Sequence, residues 1–376
     1  MGIWYSKNKI GTTRIKTLPG VSPLVFTKFL LENAAFINQE DISTGLPGYT
    51  EIPIAVDMDE ELSASYNKLE KDIRENMGNW RKSVKTMGQI ITTLSVYPDQ
   101  PYNQADIIHP DTGEIIATPD TLEQRYRNKE DTFLKLVQSK VEAGEKVLVY
   151  YHWTNRTDLA NRLPKLLKEH GIKSTVLKAN IKASEREEWI HTQLKNGIDV
   201  LLCNPTLIET GLDLLDFTTI IYYQMGYNLY TMRQASRRSW RLSQNKDVEV
   251  YFLYYKGTIQ EQALSLMATK LQAAMAIEGK FSEEGLNALS NNEDIFTQIA
   301  SSVTEGIKDS VDIQVFKKIS VKNTKEKNVD KQVKVKPLQY LLFNFNNASK
   351  PNKTQNDIQY NMTDSLSCTT QLFNLC

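Results

Sequence analysis

The stretch PTLIETGLDLLDFTTIIYYQMGYNLYTMRQASRRSWRLSQ, residues 205–244, decides the fold and carries the most distinctive chemistry of the chain. It opens with a Gly-Leu-Asp turn at 211–213, continues through the β-branched run 218–223 and ends in a predicted helix that carries Arg238 and Arg241. Residues at i and i+3 project from one face of a helix, so these two guanidinium groups should lie side by side. Because two like charges repel each other, an anion between them would be favourable.

Two neighbouring guanidinium groups indicate a site for a phosphate group. Guanidinium is planar, donates bidentate hydrogen bonds to phosphate oxygens and does not lose its charge. In phosphoryl transfer such an arginine stabilises the charge that develops on the transferred group. A charge cluster alone would favour a solvated basic helix face. The order Gly-Leu-Asp, strand, Gln-x-x-x-Arg-x-x-Arg favours the phosphate site.

That order resembles the end of the second RecA-like lobe of superfamily 2 helicases, and most closely the Swi/Snf-type DNA translocases in a bacterial or phage-like form. Residues 211–213 resemble motif V. Residues 234–244, QASRRSWRLSQ, resemble motif VI, whose Swi/Snf form is roughly QAxGRxHRxGQ. Three positions depart from that form, since Arg237 replaces a Gly, Trp240 a His and Ser243 a Gly. Both arginines of the motif are present. Because Ser243 replaces the glycine, the sequence does not decide whether the usual tight turn forms there.

The resemblance implies a role for each of these residues. Arg238 and Arg241 would be the catalytic arginines that face ATP, with Gln234 supporting them. Asp213 would lie near the nucleotide ribose or on the path that couples the nucleotide to DNA. The implied cofactor is ATP with Mg²⁺, and the Mg²⁺ would be held mainly by a first lobe. The predicted ATP-binding residues are Gly211, Asp213, Gln234, Arg238 and Arg241.

Weaker similarities indicate nucleic-acid contacts. Residues 147–154, VLVYYHWT, resemble motif IV, whose strand end contacts the nucleic-acid backbone or stacks near the nucleotide. An aromatic residue at a strand end belongs to the core or its rim more often than to a nucleic-acid contact. Arg186 falls where the family has a helix near a phosphate, although pairing with a neighbouring glutamate is as easy. The predicted contacts are Trp153, Thr154, Asn180, Arg186 and Thr210.

Strand and helix patterns alternate from about residue 129 onward. Short apolar runs such as 146–151 and 198–203 are separated by amphipathic segments, including one at 156–170 that Pro164 should kink or restart. This alternation predicts an α/β fold with a mostly parallel sheet, right-handed crossovers and helices on both faces. It is the doubly wound fold of RecA-like lobes. Such sheets place ligands at the carboxyl ends of their strands.

The flanking segments complete the predicted organisation. A mixed lead-in contains a strand at 51–58, a helix at 59–77 and an irregular stretch at 78–128 with a hairpin tip at 111–113. The lysines between 322 and 336 could contact DNA phosphates or belong to a solvated linker. The predicted domains are 1–128, the lead-in between lobes; 129–280, the helicase C-terminal lobe; 281–320, a helical extension; and 321–376, a basic then Asn-rich disordered tail.

Composition narrows the function only coarsely. The 376 residues include 40% hydrophobic and 24% charged residues with zero formal net charge, so any nucleic-acid-binding surface must be local. The cysteines have no metal-ligand spacing, and Cys203 inside an apolar run should be buried. We predict no metal site in this chain. The sequence lacks an apolar run of ~18 residues and a charged-then-apolar leader, which predicts a cytoplasmic chain without a membrane span.

A complete helicase of this superfamily also needs a first lobe with a phosphate loop and an acidic Mg²⁺-binding pair. The sequence contains no Gly-rich phosphate loop, and the roughly 145 residues before motif IV are too few for that lobe. The acidic run 57–60 follows no phosphate loop and suits the N-terminus of a helix. We therefore expect a second lobe that depends on a first lobe in trans or in a longer parent protein.

Three functions stay open. The first is the second lobe of an ATP-dependent helicase or translocase, acting on double- or single-stranded DNA and inactive as an isolated chain. The second is a catalytically inactive DNA- or protein-binding module that kept the fold. The third is an unrelated doubly wound nucleotide-binding domain such as a glycosyltransferase lobe, which leaves the Gln-x-x-x-Arg-x-x-Arg pattern unexplained.

Overall fold

A computed structural model describes residues 3–7, 13–17, 46–76, 83–102, 104–153, 158–208, 211–277, 298–300 and 303. All of them belong to one compact unit, Met1–Lys322. The predicted tail at 321–376 lies outside the described residues, as does most of the predicted extension at 281–320. The domain boundaries therefore stay predictions.

The described strands form three sheets. Their bounds are β1 (Ile3–Lys7), β2 (Thr13–Thr17), β3 (Tyr49–Val56), β4 (Ile107–Ile108), β5 (Ile115–Ala117), β6 (Lys146–Tyr150), β7 (Ser174–Leu177), β8 (Val200–Cys203), β9 (Phe217–Tyr222) and β10 (Val248–Tyr255). The main sheet has the order β3-β10-β9-β6-β8-β7, and every neighbouring pair in it is parallel. β1 pairs with β2 and β4 with β5, both antiparallel.

Helices cover both faces of the main sheet. Their bounds are α1 (Glu60–Asn76), α2 (Val84–Val96), α3 (Asn128–Glu142), α4 (Leu159–Glu169), α5 (Arg186–Lys195), α6 (Leu229–Ser236) and α7 (Ile259–Ile277). α3 and α4 pack on the face that carries Val147 and Val149, whereas α1, α2, α5, α6 and α7 pack on the face that carries Leu148 and Tyr150. The structure thus confirms the predicted doubly wound, RecA-like α/β fold.

The central strands are mostly apolar because both of their faces are covered. Residues of β8 from Val200 to Cys203 are all fully buried, as predicted for Cys203. Strands buried on both faces read as continuous apolar runs rather than alternating ones. Because these strands are buried on both faces, they form a rigid support for the loops at both ends of β6, β8 and β9.

Two predictions about helices are corrected. The stretch 78–128, expected to be irregular apart from its hairpin, contains α2, which Ser83 caps by accepting a hydrogen bond from the amide of Thr86. α4 spans Leu159–Glu169 as one element with Pro164 inside it, so the helix does not restart there, and the predicted kink stays a prediction. A proline in a helix interior costs about 3 kcal/mol. Burial of four leucines of α4, at about 1.5–3 kcal/mol each, outweighs that cost.

The lead-in contributes directly to the lobe. β3 forms an edge of the main sheet beside β10, and the register aligns Tyr49 with Val248. α1 and α2 bury Leu62, Tyr66 and Ile90 in the core that also holds α6 and α7. The predicted hairpin is confirmed as β4 and β5. Residues 46–76 and 83–102 are therefore part of the packed structure that positions the site.

Among the described residues, no helix has both the length and the apolar character needed to cross a membrane.

Candidate nucleotide and nucleic-acid site

The predicted arginine helix ends before the arginines. α6 begins after Asn228, whose side chain accepts a hydrogen bond from the amide of Thr231, and it ends at Ser236. Arg238 and Arg241 lie in the turns that follow, so their proximity is not due to one helix face. The amide of Arg238 donates to the carbonyl of Ala235 (3.3 Å), a shorter-range bond that closes the helix.

Contacts of Trp240 hold the chain after α6 in a turn rather than in a longer helix. Its indole Nε1 donates to the carbonyl oxygen of Pro47 at 2.9 Å, and its ring lies 5.1 Å from that of Tyr49. Only 5% of Trp240 is exposed. Trp240, one of the three departures from the family pattern, is therefore buried and fixes the turn against the start of β3.

Gln244 anchors the other end of the turn. Its Nε2 donates to the carbonyls of Leu215 (2.8 Å) and Ser239 (2.9 Å), and its Oε1 accepts from the amides of Asn245 and Lys246. The amide of Gln244 also donates to the carbonyl of Arg241 at 2.8 Å. A tight turn thus forms with Ser243 in place of the usual glycine.

The structure brings Asp213, Arg238 and Arg241 together. One guanidinium nitrogen of Arg241 lies 2.6 Å from a carboxylate oxygen of Asp213, and both side chains are about half exposed. The amide of Leu214 donates to the carbonyl of Arg238 at 3.1 Å, which joins the motif V segment to the turn. Gly211 precedes Asp213 with φ of +79°, a left-handed conformation that favours glycine.

The electrostatics of this group favour a bound anion. Partial burial lowers the pKa of Arg238, and the neighbouring Arg241 lowers it further, whereas Asp213 acts in the opposite direction. Arginine does not deprotonate in proteins, so the lowered pKa means that the charged form of Arg238 is held at a cost, first from burial and then from the charge of Arg241. One half-exposed carboxylate beside two guanidinium groups leaves net positive charge at this place.

The position of the group corrects one expectation. The carboxyl ends of the strands were expected to hold the ligand site, but Asp213 lies in the segment that leads into the amino end of β9. Arg241 lies in the segment that leads into β10. The reason is that the chain after β8 runs back past the sheet, through a short 3₁₀ helix at Pro205–Leu207, before motif V begins. Gln234 lies half-buried in the last turn of α6.

The nucleic-acid candidates lie apart from this group. Trp153 follows the carboxyl end of β6, half-buried, and its amide donates to Oε1 of Gln224 at 3.3 Å. Its ring meets that of His152 edge-on at 5.0 Å and lies 6.0 Å from that of Tyr227. Asn180 is exposed in the turn that follows β7. Thr154 and Thr210 lie outside the described residues.

Arg186 has a structural role that the sequence did not suggest. Its Nε donates to the carbonyl of Ile181 (3.2 Å) and its Nη1 to that of Leu207 (2.7 Å). Within the part of the chain that the structure describes, it forms no ion pair with Glu185 or Glu187. Arg186 therefore ties the loop after β7 to the 3₁₀ helix before motif V, and it is partly exposed beside both.

A buried polar cluster beside Trp153 was missed by the sequence analysis. Nζ of Lys129 lies 2.9 Å from Oδ1 of Asp99, and both side chains are almost fully buried. Gln224 and Gln260 donate to Oδ2 of Asp99 at 2.8 and 3.2 Å. Lys129 also lies over the rings of Tyr223 and Tyr255. These residues come from segments far apart in the chain, so no local pattern could have revealed the cluster.

Comparison with known proteins identifies the domain. Residues 128–243 match the family model of the helicase conserved C-terminal domain. The chromatin-remodeling ATPase INO80 of Eremothecium gossypii is 31% identical over 147 residues, which are 38% of this chain and 10% of that protein. An uncharacterized ATP-dependent helicase, YqhH, of Bacillus subtilis is 24% identical over 203 residues, 54% of this chain and 35% of that protein.

A third relative carries the Swi/Snf name. It is a SWI/SNF-related regulator of chromatin, the DEAD/H box 1 homolog of Caenorhabditis elegans, 29% identical over 168 residues, which are 43% of this chain and 16% of that protein. The chain thus spans from a tenth to a third of the length of these three relatives. The bacterial or phage-like origin stays a prediction.

Two solved structures align with this chain at low identity. The C-terminal part of the Fun30 ATPase domain has a TM-score of 0.49 at 16% identity and covers 69% of this chain and 98% of that chain. The Sulfolobus solfataricus SWI2/SNF2 ATPase core in complex with dsDNA has a TM-score of 0.42 at 18% identity and covers 65% and 50%. Residues 128–243 therefore form a C-terminal helicase lobe, and in this region the chain is similar to ATPases of the Swi2/Snf2 family.

Proposed function

We propose that this chain works as the second lobe of an ATP-dependent DNA helicase or translocase, in which Arg238 and Arg241 act on the terminal phosphate of ATP. The observation that carries the proposal is the group formed by Asp213, Arg238 and Arg241. The turn after α6 presents two guanidinium groups beside a half-exposed carboxylate, held in place by buried Trp240.

The Asp213–Arg241 pair suits exchange for a phosphate. An exposed ion pair contributes only about 0–1 kcal/mol, since water screens it and two flexible side chains must be ordered. A phosphate oxygen offers the same planar partner with more charge. When it replaces Asp213, both guanidinium groups can contact the same phosphate, whose larger negative charge relieves the repulsion between the two arginines. In the transition state the same contacts would stabilise the charge on the transferred group.

The donor set fits the terminal phosphate and not the whole nucleotide. It offers two cations for phosphate oxygens, which is the chemistry that ATP with Mg²⁺ needs from a second lobe. The rest of the nucleotide and most of the Mg²⁺ coordination would come from a first RecA-like lobe with a phosphate loop, a motif that this sequence lacks. That lobe would be supplied in trans or in a longer parent protein.

DNA would be held by the other candidate residues. Trp153 and Asn180 follow the carboxyl ends of β6 and β7, and Arg186 begins α5, whereas Thr154 and Thr210 lie outside the described residues. Four of these five residues are neutral, so they would contact the backbone through hydrogen bonds and stacking rather than charge. The activity, the DNA and the partner lobe are proposals for this chain.

The test is DNA-stimulated ATP hydrolysis by the purified chain, alone and after addition of a first lobe from a related protein. We expect hydrolysis only when that lobe is added. Arg238→Ala should then lower turnover by about 10³-fold or more, the scale of an arginine that stabilises the transferred phosphate. DNA binding should be largely kept. Arg237→Ala is the matched control, since it removes the same charge from the neighbouring, exposed position.

The other outcomes distinguish the alternatives. Unchanged turnover in Arg238→Ala would refute the assignment of the arginines. Hydrolysis by the chain alone would reveal a phosphate site within it. No hydrolysis in either condition, with DNA binding that ignores ATP and survives Arg238→Ala, would identify a catalytically inactive binding module.

A further inference from the structure

We infer that Asp99 and Gln100, which lie three and four residues after the end of α2, are positioning residues. They hold the two ends, at His152–Trp153 and at Asp158, of the segment that joins β6 to α4, and so set how Trp153 is presented. A role of this positioning in nucleic-acid binding rests on the proposed function, but the positioning itself does not.

Asp99 acts on the first end of the segment through Gln224. Nε2 of Gln224 donates to Oδ2 of Asp99 at 2.8 Å. Oε1 of the same amide group accepts from the backbone amides of His152 (3.4 Å) and Trp153 (3.3 Å). Because one planar amide makes all three bonds, fixing its nitrogen on Asp99 fixes where its oxygen meets the backbone beside Trp153.

Gln100 holds the second end directly. Its Oε1 accepts from the backbone amide of Asp158 at 2.7 Å, where α4 begins. Gln100 is 8% exposed and Asp99 is 5% exposed. Two consecutive residues of the lead-in are therefore linked by hydrogen bonds to the backbone just after β6, through Gln224, and to the backbone at the start of α4.

The environment of Asp99 indicates precise placement rather than simple stabilisation. Its carboxylate is fully buried against Lys129, and its three partners, Lys129, Gln224 and Gln260, all donate to it. A buried ion pair loses about as much by desolvation as it gains by attraction, so apolar residues would stabilise this place equally well. A fully satisfied polar cluster instead permits one arrangement of its members. Gln224 is a member of this cluster and accepts a hydrogen bond from the backbone amide of Trp153, so the arrangement also fixes that backbone.

A reciprocal exchange tests the link between Asp99 and Gln224. Gln224→Glu removes the donor and places two carboxylates together. Asp99→Asn removes the buried charge that Lys129 requires. The double variant restores a hydrogen bond of reversed direction between residues 99 and 224, with Oε1 of residue 224 still free to accept from His152 and Trp153. Gln260 then faces an amide nitrogen and Lys129 a neutral amide, so the lost stability should not return in full. If the link positions the segment, the double variant should still recover the position of Trp153 that each single variant loses.

The readout is ¹⁹F NMR of the full chain labelled with 5-fluorotryptophan, with the Trp153 resonance assigned by Trp153→Phe. We expect each single variant to shift this resonance and the double variant to return it. DNA affinity should fall about tenfold in each single variant, the effect of one charged hydrogen bond, and recover in the double. Gln244→Met is the control, since it removes a buried glutamine at the opposite end of β9 and should lower the melting temperature without moving the Trp153 resonance.

A second variant keeps the test decisive if the exchanged pair does not fold. Gln100→Leu removes the acceptor of the Asp158 amide, whose hydrogen exchange should become at least about tenfold faster. Unchanged exchange would overturn the role of Gln100. A Trp153 resonance that ignores the single variants, or that stays displaced in the double, would overturn the role of Asp99. A resonance that follows the pattern while DNA affinity stays constant would uphold the positioning and refute the DNA contact by Trp153.

Discussion

At the scale of single residues, the backbone of Gly226 packs closely against the imidazole of His152. A Cβ atom at Gly226 would lie 2.7 Å from Cε1 of His152 and 3.0 Å from both of its ring nitrogens. We expect Gly226→Ala to displace the imidazole and to lower the free energy of unfolding by about 1–3 kcal/mol, the usual cost of an overpacked site. Urea denaturation followed by circular dichroism would measure it.

The control for this prediction is the double variant Gly226→Ala with His152→Ala. Removal of the imidazole leaves room for the new methyl group, so the two free-energy changes should not add. Additive changes would show that Gly226 is needed for a reason other than the imidazole.

The imidazole of His152 should also make stability depend on pH. Burial lowers the pKa of His152 below its ordinary value of 6.5, and within the described residues its Nδ1 has no hydrogen-bond partner. Between the lowered pKa and 6.5, the unfolded chain binds a proton that the folded chain does not bind. The free energy of unfolding should therefore rise with pH through this window and its histidine contribution should be complete above about 6.5.

The measurement compares the wild-type chain with His152→Gln between pH 5 and 7.5. Burial raises the pKa of Glu51 and of Glu130, and these carboxyls act with opposite sign, because stability falls as pH rises through their titration. Both proteins contain them, so the difference between the two curves isolates His152. Parallel curves would contradict the prediction.

At the scale of the element, the turn between α6 and β10 depends on Trp240. Trp240→Ala should lower the free energy of unfolding by about 3–5 kcal/mol, since it leaves a cavity beside Tyr49. Trp240→Phe keeps most of the packing but loses the bond to Pro47, at a cost of about 1 kcal/mol. Equilibrium unfolding in urea measures both. Equal losses in the two variants would place the whole effect in the hydrogen bond.

Most elements could be predicted from local sequence, because their signals are local. The apolar runs 146–151, 198–203 and 218–223 predicted β6, β8 and β9 within about two residues. The order of motifs along the chain also predicted that Arg238, Arg241 and the Gly-Leu-Asp turn belong to one phosphate site. The structure then joined Asp213 to Arg241.

The rest depends on contacts between distant segments. α2 is rich in β-branched residues and follows no strong local signal, so its helix is stabilised by burial of Ile90, Ile91 and Leu94. The end of α6 is set by Trp240 reaching Pro47, 193 residues earlier in the chain. Asp99 and Gln224 are 125 residues apart. Single-sequence patterns carry no information about such pairs.

At the scale of the whole molecule, net charge limits how DNA can be held. The chain has zero formal net charge, and Arg186 is the one cation among the five predicted contacts. The logarithm of DNA affinity should fall with that of salt concentration with a slope of about −0.9 per phosphate contact, so we expect a slope near −1. Fluorescence anisotropy with a labelled duplex at several salt concentrations measures it.

The lysines between 322 and 336 provide the contrasting variant. Replacement of Lys322, Lys325, Lys327, Lys331, Lys334 and Lys336 by glutamine should leave the slope unchanged if they belong to a solvated linker. A slope several units steeper that flattens in this variant would place DNA phosphates on the lysine-rich segment.

The edge strand β3 has a consequence for synthesis of the protein. Its partner β10 emerges from the ribosome 199 residues later, which at ~5–20 residues per second is a wait of roughly 10–40 s. During that time β3 has no strand to pair with, and an unpaired apolar strand invites association with other nascent chains. Pro53, in the middle of β3, cannot donate to a wrong neighbour. The same proline that is tolerated because β3 lies at an edge thus protects the nascent chain until its sheet can close.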